Sequence, residues 1–217
     1  MRKQFIIIFF LCFAVNSIGQ IGSIIGKDHS NEKSFSHSNK ATFSTAKLAS
    51  SIIKNATSDK ERVFAIYKWI TSNISYDNEL RLSPKLQKKI YISEENVIKK
   101  VLERKMALCG GYAFLFTRLC GDVGVSAEVV HGFTKDYSGK VQKNMQPTHT
   151  WNAVKINGQW QLLDITWAIG YGNGNGPDDF WFLTKPADFI YTHYPEAQRW
   201  TLMQNSISLT EFQKIIK

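Results

Sequence analysis

Cysteine is scarce in this chain of 217 residues: only Cys12, Cys109 and Cys120 occur, and no Cys-x-x-Cys or His-x-x-x-His spacing is present. The close-spaced ligand pairs of a structural zinc site are therefore missing, and neither a metal nor another cofactor is expected. A disulfide between Cys109 and Cys120 is excluded if both lie on one helix. Eleven residues at about 1.5 Å rise would hold them roughly 16 Å apart, where a disulfide tolerates about 7 Å between Cα atoms. Basic runs are also missing. The formal net charge is +9, but the lysines are scattered, with Lys88-Lys89 and Lys99-Lys100 the only adjacent lysine pairs. That pattern lacks the arginine-rich or aromatic-interleaved stripe of a nucleic-acid binder, and no nucleic-acid partner is expected. No internal repeat is visible. The apolar stretch from Phe5 to Val15 is too short to cross a bilayer comfortably.

That stretch reads instead as part of a secretion leader over residues 1–19. Arg2 and Lys3 form its basic start, and Ser17-Ile18-Gly19 supplies small residues for cleavage before Gln20. The expectation is an exported protein, periplasmic or secreted, with no stable membrane anchor. Cys12 follows Leu11 rather than a small residue, which argues against a lipoprotein; an uncleaved N-terminal anchor is the alternative. Without Arg2 and Lys3 the formal charge falls from +9 to +7, a balance that suits anionic envelope components or acidic substrates. Residues 20–41 are rich in Ser, Asn, Lys and Gly and lack apolar periodicity, so they read as a flexible lead-in. Residues 42–217 read as a single domain with room for a real core.

Within that domain the pattern begins helical. A helix is expected from about Thr42 to Asn55. A second follows the capping box Ser58-Asp-Lys-Glu61, with Val63, Ile66, Tyr67, Ile70 and Ile74 on its buried face and an end near Ser75. Residues 77–92, interrupted by Ser83-Pro84, read as mostly loop. Ser93 with Glu94 and Glu95 opens a short helix that delivers the chain to Cys109. Tyr112, Leu115, Phe116 and Leu119 recur at helical spacing, so a buried helix starts at about Gly110.

After Cys120 the texture turns to strand. Val125 to Phe133 is one strand, Trp151 to Ile156 a second, and Trp160 to Trp167 its return through Asn157-Gly158, a strong two-residue hairpin signal. Gly170 to Pro177 reads as a loop, Phe180 to Leu183 as another strand, and Pro186 and Ser208 as starts of short helices. Helices followed by an antiparallel sheet define an α+β fold.

Three polar residues stand out. Cys109, at a helix N-terminus, would sit beside unpaired N–H groups and the positive end of the helix dipole, both of which favour the nucleophilic thiolate. Gly110 and Gly111 would leave the sulfur open to a substrate backbone. The bland alternative is a small packed hydrophobe, the natural reading for Cys120. A hairpin through Asn157-Gly158 pairs residues whose numbers sum to about 315, which makes Asp164 a diagonal neighbour of His149 and within reach of it. A one-residue slip would separate them. Asp164, between Leu163 and Ile165, is a costly place for a carboxylate without a partner. Together, Cys109, His149 and Asp164 have the composition of a nucleophile, its base and the group that orients the base.

Cys-Gly-Gly-Tyr-Ala at 109–113, His-Thr-Trp-Asn-Ala-Val at 149–154 and Leu-Leu-Asp-Ile-Thr-Trp at 162–167 resemble the core of the transglutaminase-like superfamily. Tyr67 to Asp77 is similar to it as well. The tail, with Phe182-Leu-Thr-Lys-Pro, Tyr191-Thr-His-Tyr-Pro-Glu196 and Trp200, resembles its kyphoscoliosis-peptidase-like branch. The resemblance spans about residues 55–212 and implies a papain-like fold with Cys109 as nucleophile, His149 as base and Asp164 as orienter. Ala107-Leu108 stands where the family often has Gly-Val, and no side chain suggests itself as the second oxyanion donor beside the Cys109 N–H. Trp69 and Gly110 are candidates for lining the cleft, and Trp151 and Trp167 for packing around the three residues and excluding water.

The activity so implied is attack on an amide carbonyl to form a thioester in a peptide or protein substrate, an envelope component being one candidate. Resolution by water gives a peptidase or amidase, and resolution by an amine gives a transglutaminase. Hydrolysis is favoured, since a dedicated amine site asks for more architecture than one small domain offers. A peptide-glycanase role fits poorly without zinc-ligand pairs. The rival from another class is a module that binds peptides or glycans without turnover.

Overall fold

The computed structural model describes residues 44–135, 141, 146–172, 176–205 and 207–215. The expected leader and lead-in lie outside the described residues, as does the middle of the 170–177 loop. In the N-terminal half, capping chemistry marks each helix start. Ser44 caps α1 (Thr45–Ile52), and Ser58 with Glu61 forms the full reciprocal capping box of α2 (Asp59–Asn73). The α2 residues Val63, Ile66, Tyr67 and Ile70 are all buried, as the periodicity requires. The chain then forms a two-residue strand, β1 (Ser75–Tyr76).

Residues 77–92 are not mostly loop. Asp77 caps α3 (Asn78–Leu82), and Ser83 caps α4 (Pro84–Ile90) with Pro84 in its first turn. The Ser-Pro pair breaks one helix and starts the next, because proline lacks only an N–H that the first turn does not use. Ser93 caps α5 (Glu94–Arg104), which ends on Lys105 in the left-handed region at φ 56°. β2 (Met106–Ala107) pairs in parallel with β1, Ser75 opposite Met106.

α6 (Cys109–Asp122) follows after a single residue. It packs on α1, α2 and α5 on one side and on the sheet on the other, and Leu115, Phe116, Leu119 and Cys120 are fully buried. The sheet consists of β3 (Ala127–Thr134), β4 (His149–Ile156), β5 (Gln159–Leu163) and β6 (His193–Pro195), in the order β5-β4-β3-β6, with antiparallel pairing throughout. Asn157 and Gly158 both have positive φ, 51° and 81°, the geometry that matches strand twist in a tight hairpin. The register is the expected one, with Asn152 opposite Leu163 and Ala153 opposite Leu162. The fold is α+β, with one central helix laid against an antiparallel sheet.

Two strand expectations are corrected. The return strand stops at Leu163, where Asp164 becomes the cap of α7 (Ile165–Gly170): its side chain accepts the Trp167 N–H, and alternation gives way to a helical turn. Phe180–Leu183 is not a strand: its first two residues belong to a 3-10 turn (Asp179–Trp181) capped by Asp178, and Leu183 has φ 54°, a conformation no strand continues through. Pro186 and Ser208 do open helices, α8 (Pro186–Phe189) and α9 (Leu209–Lys214).

Candidate active site

The site grows out of three backbone junctions. Cys109 is the first residue of α6, directly after β2 and Leu108. Leu108 occupies the cap position and has no side-chain acceptor, so the first-turn N–H groups receive no side-chain cap. Cys109 is buried at 6% exposure, on the edge of access, whereas Cys120 is wholly enclosed. Burial pushes the Cys120 thiol well above the usual range.

His149 is the first residue of β4, opposite Gly132 of β3. Asp164 lies just past the end of β5, so its carboxylate is placed by a helix cap rather than by the strand. Asp164 Oδ1 accepts the Trp167 N–H at 2.9 Å, and Oδ2 lies 2.5 Å from His149 Nε2. The diagonal approach expected from the hairpin register therefore brings the two together, by a route the strand reading did not contain. Cys109 also shares a hydrogen bond with His149. Since Nε2 faces Asp164, Nδ1 is the nitrogen left for the sulfur.

The electrostatics follow from this contact. Burial works against a charged His149, but the charge and hydrogen bond of Asp164, and then those of Cys109, outweigh it and raise the imidazole to about 10. Asp164 is buried too, which alone would raise its pKa; the His149 and His193 contacts instead hold it well below the carboxylate range. The arrangement supports an imidazolium beside the sulfur.

His193 is the residue that the sequence did not single out, although it lies within the Tyr191–Glu196 tail motif. It comes from β6, is fully buried, and places Nε2 3.1 Å from the same Asp164 Oδ2, with Nδ1 2.8 Å from Thr192 Oγ1. Burial, together with the neighbouring His149 charge, outweighs Asp164 and lowers His193 to about 4. The ligand atoms of His149, Asp164 and His193 lie within 4.8 Å of one another, a metal-ligand set by type. Ligands of a tetrahedral zinc stand roughly 3.3 Å apart, given bonds of about 2.0–2.1 Å. The 2.5 Å contact is tighter than that and is a hydrogen bond, so the cluster reads as a proton network.

The remaining candidates divide. Trp151 stacks with His149 at 6.0 Å between ring centroids, and Trp167 lies 6.1 Å from it, both buried, so both wall the site as expected. Trp69 instead lies under the Lys105 ammonium, 5.4 Å from the ring centroid, in the layer around the core. The glycines admit protein rather than opening a cleft. A Cβ on Gly110 would lie 3.2 Å from the Tyr91 ring, and one on Gly111 2.9 Å from Val101. One further residue fixes the geometry: buried Asn152 donates from Nδ2 to Ala113 O, Thr117 Oγ1 and Glu128 O at 3.0–3.2 Å, tying α6 to the strand that carries His149.

Comparison with known proteins places this arrangement. The model of the transglutaminase-like superfamily matches residues 46–165. Kyphoscoliosis peptidase of Mus musculus is 34% identical over 176 residues, 76% of this chain and 25% of that protein. Hillarin of Drosophila melanogaster is 27% identical over 187 residues, 77% of this chain and 22% of that one. The chain thus spans about a quarter of the length of these relatives. Among solved structures, an arylamine N-acetyltransferase from Bacillus cereus is 15% identical, with a TM-score of 0.43 over 58% of this chain and 50% of that one. With more than half of its length matched by the family model, the chain belongs to the transglutaminase-like superfamily, and its similarity to kyphoscoliosis peptidase supports the kyphoscoliosis-peptidase-like branch.

Proposed function

We propose that the protein is an exported thiol hydrolase that cleaves amide bonds in peptides or proteins, with Cys109 as nucleophile, His149 as base and Asp164 as orienter. The supporting observation is His149 held between Asp164 at 2.5 Å and the Cys109 sulfur at the uncapped start of a helix. In the first step the Cys109 thiolate attacks the carbonyl carbon, forming a C–S bond, while the Cys109 N–H offers one donor to the developing oxyanion. The C–N bond then breaks, and the His149 imidazolium gives its proton to the departing amine. In the second step His149 takes a proton from water, the hydroxide adds to the thioester carbonyl, and the C–S bond breaks, releasing the acid and restoring the Cys109 thiolate beside the imidazolium. Each step uses only these side chains and water.

Cys109→Ala tests this reading, because it removes the sulfur and leaves the walls of the site in place. Turnover of an amide or glutamine-containing peptide should vanish while binding of that peptide changes far less, since the nucleophile contributes chiefly in the transition state. Equal peptide binding by both forms with no amine released by either would indicate a binding module. With a primary amine added to the native enzyme, incorporation exceeding cleavage would make it a transglutaminase instead.

A further inference from the structure

His149 and His193 reach Asp164 from strands on opposite sides of β3. His149 pairs with Gly132 and His193 with Thr134, so both project from one face of the sheet, two positions apart along β3. Trp151, opposite Val130, stands on that face as well. The position between them is Gly132, where a Cβ would lie 2.4 Å from the end of the Trp151 ring and 2.2 Å from Tyr194 O. The missing side chain makes room for the Trp151 ring and the β6 backbone, and the two imidazole centroids lie 5.7 Å apart.

His193 is enclosed in an aromatic cage. Phe189 stacks on it at 4.1 Å and Trp167 lies at 4.3 Å, with Trp151 at 5.1 Å and Trp181 at 5.4 Å. A polar ring in such surroundings is costly unless its nitrogens are satisfied, and an apolar ring would fill the space at less cost. Both nitrogens are engaged, and directionally. Asp164 is an acceptor, so Nε2 carries the proton; Nδ1 then accepts from the Thr192 hydroxyl. The Asp164 carboxylate therefore receives three N–H donors, from Trp167 on Oδ1 and from both imidazoles on Oδ2.

We infer that His193 is a positioning residue for the thiol site: as a neutral donor it fixes the Asp164 carboxylate in the plane that His149 needs, extending Cys109–His149–Asp164 to a fourth member anchored by Thr192. It touches neither the sulfur nor the substrate and acts through Asp164. This rests on the thiol-enzyme reading above, and the two are separable in one experiment.

The experiment is the pH profile of Cys109 alkylation by iodoacetamide, followed by peptide mapping with Cys120 as the buried internal reference. Cys109 in the native protein should react well below the ordinary thiol range of about 8.5; a profile centred on that value would sink the thiol-enzyme reading itself. His193→Leu and His193→Asn, which cannot reach Asp164 as Nε2 does, should slow alkylation at pH 6 by about tenfold and move the profile upward, the scale of one charge-assisted hydrogen bond. His193→Gln carries a donor near the Nε2 position and should stay within about threefold of the native rate on the same basis. A purely structural role would lower the melting temperature of all three and leave the profile of each folded variant on that of the native protein, which would overturn the inference. Should none of the three fold, Thr192→Val, which removes the hydroxyl at Nδ1 together with its longer contact to Phe189 O, decides by the same profile.

Discussion

His149 and His193 share one carboxylate oxygen, and their proton affinities move apart, the first to about 10 and the second to about 4, from a common 6.5. His149 binds its proton more tightly folded than unfolded. Its stabilising contribution is complete below about 6.5 and is lost as pH rises toward 10. His193 is the reverse: the unfolded chain takes up a proton that the folded one refuses, so stability falls as pH drops from 6.5 toward 4. Asp164 adds to the acid limb at lower pH, once its unfolded form begins to protonate. Urea unfolding across pH should therefore show stability falling below 6.5, with that acid limb reduced in His193→Gln. It should not vanish, since burial also lowers His131. A profile rising steadily from pH 6.5 to 9 would contradict the His149 assignment.

At the scale of elements, what positions the sulfur is the joint between α6 and β4. Asn152 closes that joint through two acceptors on α6, Ala113 O and Thr117 Oγ1, with a third contact to Glu128 O of β3, and Tyr112 adds a hydroxyl bond to Ile74 O at the end of α2. Asn152→Ala should lower unfolding stability by about 1–3 kcal/mol, the range for a buried polar contact broken on one side. It should also slow Cys109 alkylation at pH 6, because the helix start would be held less firmly against His149. Stability loss with an unchanged alkylation rate would show that the clamp serves only the core. Helices were legible wherever a serine preceded a periodic run, as at Ser58, Ser93 and Ser208. The pieces α3 and α4 were not, because five- and seven-residue helices show too little periodicity and Ser83-Pro84 resembles a loop. Asp164 read as a strand residue for a related reason: Leu162-Leu163 continues the strand pattern, and only the backbone shows that the carboxylate caps the next helix.

Across the whole molecule, the three chemistry-bearing residues were readable because each sits in a local motif at a junction, and the hairpin returns the chain to Asp164, whose place as a helix cap completes the approach to His149. His193 was not, because its partner lies 29 residues away and no local spacing connects them. Among the described residues no helix is long and apolar enough to cross a membrane. The export proposal is checked by sequencing the mature N-terminus, expected at Gln20; retention of Met1 in a membrane fraction would contradict it. The short edge strand has a last consequence. β6 is three residues long and bonds within the sheet to β3 alone, so its ladder is the easiest to open locally. Its amides should exchange hydrogen for deuterium sooner than those of β4, and Gly132→Ala, which drives a methyl group into Tyr194 O, should widen that difference. Warming would then populate a native-like form in which β6 has lifted away while Cys109, His149 and Asp164 remain together, so that activity fades at temperatures where the fold itself still persists.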